Sequence, residues 1–174
     1  MTHILIPDAP APALSLPVVG GGTWTLADQT PGSFTMIVIY RGLHCPVCKT
    51  YLTKLSAMMD DARSYGLNVV VASMDGIARA AQAKADWGLT DIPVAFDLSV
   101  ADVKNWGLYL STSIKEAEPT QFAEPGLFWV RGDGRLYLVD ISNMPFSRPD
   151  LDILIPKAKM AMDNNYPARG TTAV

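Results

Sequence analysis

The sequence predicts an α/β fold: a central mixed β-sheet flanked by helices, with a β-hairpin at its N-terminal end. Three observations carry this. Residues 34–40 form an apolar, largely β-branched run of strand length, and residues 67–73 form another, apolar enough to be buried on both faces. Between them, Leu52, Leu55, Met58, Met59 and Ala62 recur at helical spacing within residues 49–65, which completes a β-α-β unit. Late in the chain, residues 127–131 and 136–140 flank Gly132-Asp133-Gly134, the clearest hairpin signal present.

Bulk properties narrow the class. A chain of 174 residues suits one domain with one sizeable core. Hydrophobic residues make up 49% and charged residues 18%, a globular rather than a disordered balance. The net charge of −3, without any basic block, argues against nucleic acid and acidic membrane surfaces as partners. No apolar run approaches the roughly 20 residues of a membrane-spanning helix. Residues 1–7 lack the basic flank and apolar core of a signal peptide. Two cysteines are too few for a disulfide framework and favour catalysis or metal binding, with a cytoplasmic setting expected.

In chain order, residues 1–13 are rich in proline and alanine and read as an extended lead-in. Residues 14–19 and 23–26 flank Gly20-Gly21-Gly22 as a hairpin, and Pro31-Gly32 turns the chain into the first central strand. One long helix over residues 49–65 stops at Gly66, in the usual C-cap position. Asp75-Gly76 leads into a helix over residues 77–87. A short strand at 93–96 follows, then a Ser99-to-Asp102 capping box opening a helix that runs to Trp106. The capping role is preferred for Asp102 over an acid pair with Asp97. Residues 111–124 are polar, without period, and read as a connection or active-site loop. A last helix spans 150–162, with Leu151, Leu154, Ile155, Ala158 and Met162 at helical spacing, and residues 163–174 read as a loose tail. One domain over 1–174 accounts for the chain.

The chemistry concentrates in Tyr40-Arg41-Gly42-Leu43-His44-Cys45-Pro46-Val47-Cys48-Lys49, which holds both cysteines at a strand-to-helix junction. Pro46 suits the first helical position. Unpaired N–H groups at a helix N-terminus favour negative charge, so a Cys45 thiolate is stabilised there, its pKa falling from about 8.5 toward roughly 3.5–7.5. Cys48, one turn on, lies within reach for a disulfide. A CxxC beside a β-α-β pattern points to a thioredoxin-like fold and a redox-active dithiol.

The stretch Tyr40-Arg41-Gly42 followed by Cys45-Pro46-Val47-Cys48 resembles peroxiredoxin-like proteins of the broad alkyl hydroperoxide reductase / thiol-specific antioxidant family. The N-terminal hairpin and the late hairpin from Gly126 are similar to that family as well, so the resemblance covers roughly residues 10–165. It implies antioxidant thiol oxidoreductase activity and a homodimer. Two positions depart from the family pattern. Its Pro-x-x-x-Thr/Ser-x-x-Cys is matched here by Val38 and Gly42, so the hydroxyl that orients peroxide is missing. The arginine that precedes Gly-Leu-Phe is matched by Pro125, which resembles instead the cis-proline facing the CxxC of thioredoxins.

Cys45 is expected to be the nucleophile, attacking a hydroperoxide or a disulfide, and Cys48 the residue that closes the disulfide. An external dithiol reductant such as a thioredoxin-type protein must then reopen it. The alternatives are a disulfide reductase without peroxidase activity, favoured by Gly42 and Pro125, and a redox-sensing module switched by the Cys45–Cys48 disulfide. Arg41 stands to lower the thiolate pKa, or else to pair with a carboxylate at the strand end. His44 adjoins Cys45, but neighbours in extended chain point to opposite faces, so it reads as surface near the thiol. Arg131, Arg135 and Arg148 are weaker candidates that read as solvated. Trp129 and Phe128 belong to the core. His3 and His44 do not space as the histidine half of a Cys₂His₂ metal site. No glycine-rich phosphate loop follows a strand, so no nucleotide cofactor is expected.

Overall fold

The computed structural model describes residues 4–173. A short hairpin, β1 (Ser15–Pro17) and β2 (Thr23–Thr25), is followed by a 3₁₀ turn at Leu26–Asp28. The central elements are β3 (Phe34–Ile39), α1 (Pro46–Ala57), α2 (Met59–Ser64), β4 (Asn68–Ala72), α3 (Ile77–Asp86), β5 (Val94–Ala95) and α4 (Val100–Asn105). Then come β6 (Leu110–Thr112), β7 (Gln121–Ala123), β8 (Gly126–Arg131), β9 (Leu136–Ile141) and α5 (Leu151–Asp163). The main sheet has the order β5-β4-β3-β8-β9, parallel between β3, β4 and β5 and antiparallel from β3 through β8 to β9. This is a thioredoxin-like architecture.

Every residue of β3 is buried, as its unbroken apolar run demands of a central strand covered on both faces. Side-chain alternation divides the core in two. Phe34, Met36, Val38 and Tyr40 face the same side as Val69, Val71, Leu127 and Trp129, and pack with α1, α2, α3 and α5. Ile37 and Ile39 face the opposite side with Val70, Phe128 and Val130, under the N-terminal hairpin and Trp106. Both cysteines belong to the first side.

The backbone departs from sequence expectation in three places. The single helix over 49–65 breaks at Met58 (φ −99°, ψ 6°), whose N–H bonds to Leu55 at 3.0 Å in a tightened last turn. The break turns α2 so that Met59 and Ala62 enter the core. The 111–124 segment, expected as a loop, carries the β6–β7 hairpin, paired from Leu110↔Ala123 to Thr112↔Gln121. Part of the expected loose tail is held: Tyr137 Oη donates to the Tyr166 carbonyl at 3.1 Å, and Ala168 is buried. Ser99 and Asp102 form the expected capping box.

Gly126 opens β8 where there is no room for a side chain. A Cβ there would meet Leu108 Cδ2 at less than contact distance and Phe128 Cε2 at 2.9 Å. Gly126→Ala is expected to cost about 1–3 kcal/mol by overpacking, measured as a lower midpoint of denaturant unfolding.

Candidate active site

β3 ends at Ile39, and residues 40–45 carry the chain over the end of the sheet to the start of α1. The parallel register Ile39↔Ala72 lays this turn beside the segment that follows β4. There Asp75, with its side chain fully buried, accepts the Leu43 N–H at 2.7 Å and Arg79 Nε at 2.9 Å. Gly42 makes that approach possible. Its φ is +133°, a conformation that disfavours any side chain, and a Cβ would lie 2.8 Å from Asp75 Oδ2. The Gly42 carbonyl accepts the Cys45 N–H at 3.1 Å and closes the turn.

Cys45 is the N-cap of α1 and Pro46 its first residue. Cys45 Sγ accepts the Cys48 N–H at 3.2 Å, as a capping hydroxyl would. Both cysteines are free thiols and essentially inaccessible, at 1% and 0% exposure. Their environments push them in opposite directions. The Cys45 pKa is pulled down to about 6, first by the hydrogen bond from the Cys48 thiol, then by the Cys48 N–H and the charges of Arg148 and Arg41, against the opposing effect of burial. Cys48 is pushed well above the ordinary thiol range, first by burial and then by sharing its proton with Cys45. The dithiol therefore rests as a Cys45 thiolate held by a Cys48 thiol.

Arg41 lies against carboxylates, Nε 3.2 Å from Glu124 Oε2 and Nη2 3.8 Å from Glu118 Oε1, with its guanidinium 4.7 Å from the Phe122 ring centroid. Glu124 is buried and takes a second bond from Ser111 Oγ at 2.6 Å. His44 packs its ring against Phe122 at 4.7 Å. Neither ring nitrogen has a hydrogen-bond partner, and its pKa is lowered by burial first and by Arg41 second. Neither nitrogen is bonded to Cys45.

Two sequence expectations need correction. No peptide bond among the described residues is cis, so Pro125 is trans. Glu124 and Pro125 link β7 to β8: the Glu124 N–H bonds to the Tyr109 carbonyl beside the β6–β7 pair, and the Pro125 carbonyl accepts from Ser142 N–H beside the β8–β9 pair. Arg148, expected to be solvated, instead donates from Nη2 to Cys48 Sγ at 2.9 Å. It lines a narrow crevice together with Pro125 and Tyr51.

Sequence reasoning passed over Asp75, Glu118, Phe122 and Glu124. Asp75 had a usable signal, because the ends of adjacent parallel strands lie side by side. The other three depend on the β6–β7 hairpin, whose strands were too short to see. His3 lies outside the described residues, and among those described no group of three or more His, Cys, Asp or Glu side chains is gathered to hold a metal.

Comparison with known proteins agrees with this geometry. The AhpC/TSA family profile matches residues 7–139. The chain belongs to the AhpC/TSA family. AhpC/TSA membership makes it an enzyme, a thiol-dependent oxidoreductase. No curated protein matches the chain. Among solved structures it is similar to a peroxiredoxin-like protein from Aquifex aeolicus, at 18% identity and a TM-score of 0.74 over 91% of this chain and 90% of that one. It is also similar to the peroxidoxin BcpB from Mycobacterium tuberculosis (14%, 0.72, covering 92% and 98%). A putative thiol:disulfide interchange protein DsbE from Chlorobium tepidum shares the fold as well (22%, 0.67, covering 90% and 99%).

Proposed function

We propose that this AhpC/TSA enzyme reduces a small hydroperoxide through a Cys45–Cys48 dithiol cycle. The observation that carries the reading is the placement of Cys45 Sγ, 1% exposed at the N-terminus of α1 and accepting the Cys48 N–H at 3.2 Å, with the second free cysteine one turn on. A small peroxide reaches such a sulfur more readily than a protein disulfide does. The Cys45 thiolate attacks the peroxide oxygen, the O–O bond breaks, and an alkoxide or hydroxide leaves to be protonated. The resulting sulfenic acid condenses with Cys48 to give the disulfide and water. An external dithiol, such as a thioredoxin-type protein, then restores the two thiols. The setting proposed is the cytoplasm, with the chain paired as a homodimer, which sedimentation of the reduced protein tests.

A disulfide reductase is the second reading. Gly42 and Pro125 favour it, since neither the hydroxyl nor the arginine of the family pattern is present at those positions. The fold shared with a putative thiol:disulfide interchange protein is compatible with it.

Stopped-flow oxidation of the reduced protein by hydrogen peroxide separates the two. Trp87, whose ring meets Tyr40 edge-on at 5.7 Å on the cysteine side of the sheet, is a suitable fluorescence reporter. Oxidation far faster than that of a free thiolate, and lost in Cys45→Ser, is the expected result. A rate no better than a free thiolate would replace the peroxidase reading with disulfide exchange.

A further inference from the structure

Arg148 occupies the segment just before α5, and its surroundings are unusual for a half-buried cation. One guanidinium nitrogen reaches Cys48 Sγ at 2.9 Å. The other two, Nε and Nη1, are buried without a hydrogen-bond partner. Its central carbon lies 4.9 Å from the centroid of the Tyr51 ring, and Tyr51 is fixed by donating to the Pro149 carbonyl at 2.8 Å. Among the described residues no carboxylate comes within ion-pair distance of it, although Asp140 lines the same crevice. The Cys45 thiolate is the negative charge that Arg148 meets in the resting dithiol. Oxidation of Cys45 removes it, and a partly desolvated cation bonded to Cys48 Sγ with no carboxylate partner then points to a negative charge arising on Cys48.

Cys48 is where such a charge must appear. In the resting dithiol its proton is shared with the Cys45 thiolate. Once Cys45 is oxidised that acceptor is gone, and Cys48 must attack as a thiolate from a buried position. Its other ionisable neighbour, Tyr40, stays protonated because burial raises its pKa, so it brings no charge of its own.

Resting on the dithiol reading above, we propose that Arg148 is a catalytic residue of the second half-reaction, carrying the negative charge of Cys48 Sγ as it attacks oxidised Cys45. In that step Cys48 gives up its proton and its lone pair forms the S–S bond. The Cys45 S–O bond breaks, and the departing hydroxide takes the proton as water. With a mixed disulfide in place of the sulfenic acid, the S–S bond to the outside group breaks and that group leaves as a thiolate. Arg148 neither gains nor loses a proton.

An aromatic disulfide probe that releases a coloured thiolate reads the two half-reactions separately. Attack by Cys45 releases one equivalent, and attack by Cys48 on the mixed disulfide releases the second. The assay is run at about pH 8, where Cys45 stays ionised even if losing a nearby charge raises it somewhat. Arg148→Met is expected to leave the first release within about threefold of wild type and to slow the second roughly 10–100-fold. Arg148→Lys, which keeps the charge but not the fork, should fall between. In a Cys45→Ser background, ultraviolet titration should show Cys48 ionising at higher pH when Arg148 is Met. An unchanged second release, or equal slowing of both releases, would overturn the role of Arg148. A first release that survives Cys45→Ser would instead overturn the dithiol reading itself.

Discussion

Cys45→Ser is expected to abolish turnover with either substrate class, a loss on the order of 10⁴ or more, as for other covalent nucleophiles. Cys48 cannot substitute. It is fully buried and held as a thiol. The gain from the lowered Cys45 pKa can be bounded. With a pKa of about 6 in place of 9.0, roughly nine in ten molecules carry the thiolate at neutral pH instead of about one in a hundred. The lower basicity gives back roughly 15–30-fold in intrinsic reactivity, for a Brønsted slope of about 0.4–0.5 over three units. What is left at neutral pH is only several-fold. A large acceleration with peroxide must therefore come from orienting the peroxide and stabilising the leaving oxygen, and not from ionisation alone.

The ionisation is itself measurable. Alkylation of Cys45 should be half-maximal near pH 6 and fall as pH drops through that value, with Cys48 unlabelled. Cys48→Ala removes the thiol that donates to Cys45, the largest cause of the shift, but keeps the backbone N–H at 3.2 Å. The midpoint should then rise only part of the way back, and the sulfenic acid should accumulate after peroxide treatment because nothing resolves it. Stability follows the same linkage. A depressed thiol pKa contributes stability present above the unfolded thiol value and lost as pH falls through about 6.

The parts of this site legible in the sequence are those encoded locally. The change from strand to helical period across residues 40–49, with Pro46 in the first helical position, places Cys45 at a helix N-terminus without any long-range information. The fold class followed from the same periodicities. The break at Met58 was hidden because Met58, Met59 and Ala62 keep helical spacing across it. In the β6–β7 hairpin only Phe122 and Ala123 are buried, too few to show an alternating pattern. Arg148 was beyond reach in a different sense, since its partner lies one hundred residues earlier in the chain. Pro125 shows the limit of resemblance: a proline in a matching position does not bring the matching isomer when the two-residue link it sits in is bonded to the ladders on either side.

Gly42→Thr, which would restore the hydroxyl of the family pattern, is expected to lower stability by about 2–5 kcal/mol and to bring no gain in peroxide reduction. At φ +133° the backbone disfavours a branched side chain, and the added Cβ would meet both oxygens of Asp75 at 2.8 and 2.9 Å. Asp75 cannot step aside cheaply, because it holds the Leu43 N–H and Arg79 on its two oxygens in a fully buried position. Displacing it would leave those donors unsatisfied, at about 1–3 kcal/mol each for buried groups. The turn would then loosen at the Cys45 N–H to Gly42 bond, and the alkylation midpoint of Cys45 should move with it. Asp75→Ala in the same chain removes the collision but neither the backbone strain nor the lost hydrogen bonds, so it should recover only part of the stability, a coupling that a double-mutant cycle measures. Denaturant midpoints of the two single variants and the double variant decide the matter. A Gly42→Thr protein as stable as wild type and faster with peroxide would show that Asp75 yields, and that the missing hydroxyl alone separates this site from the family pattern.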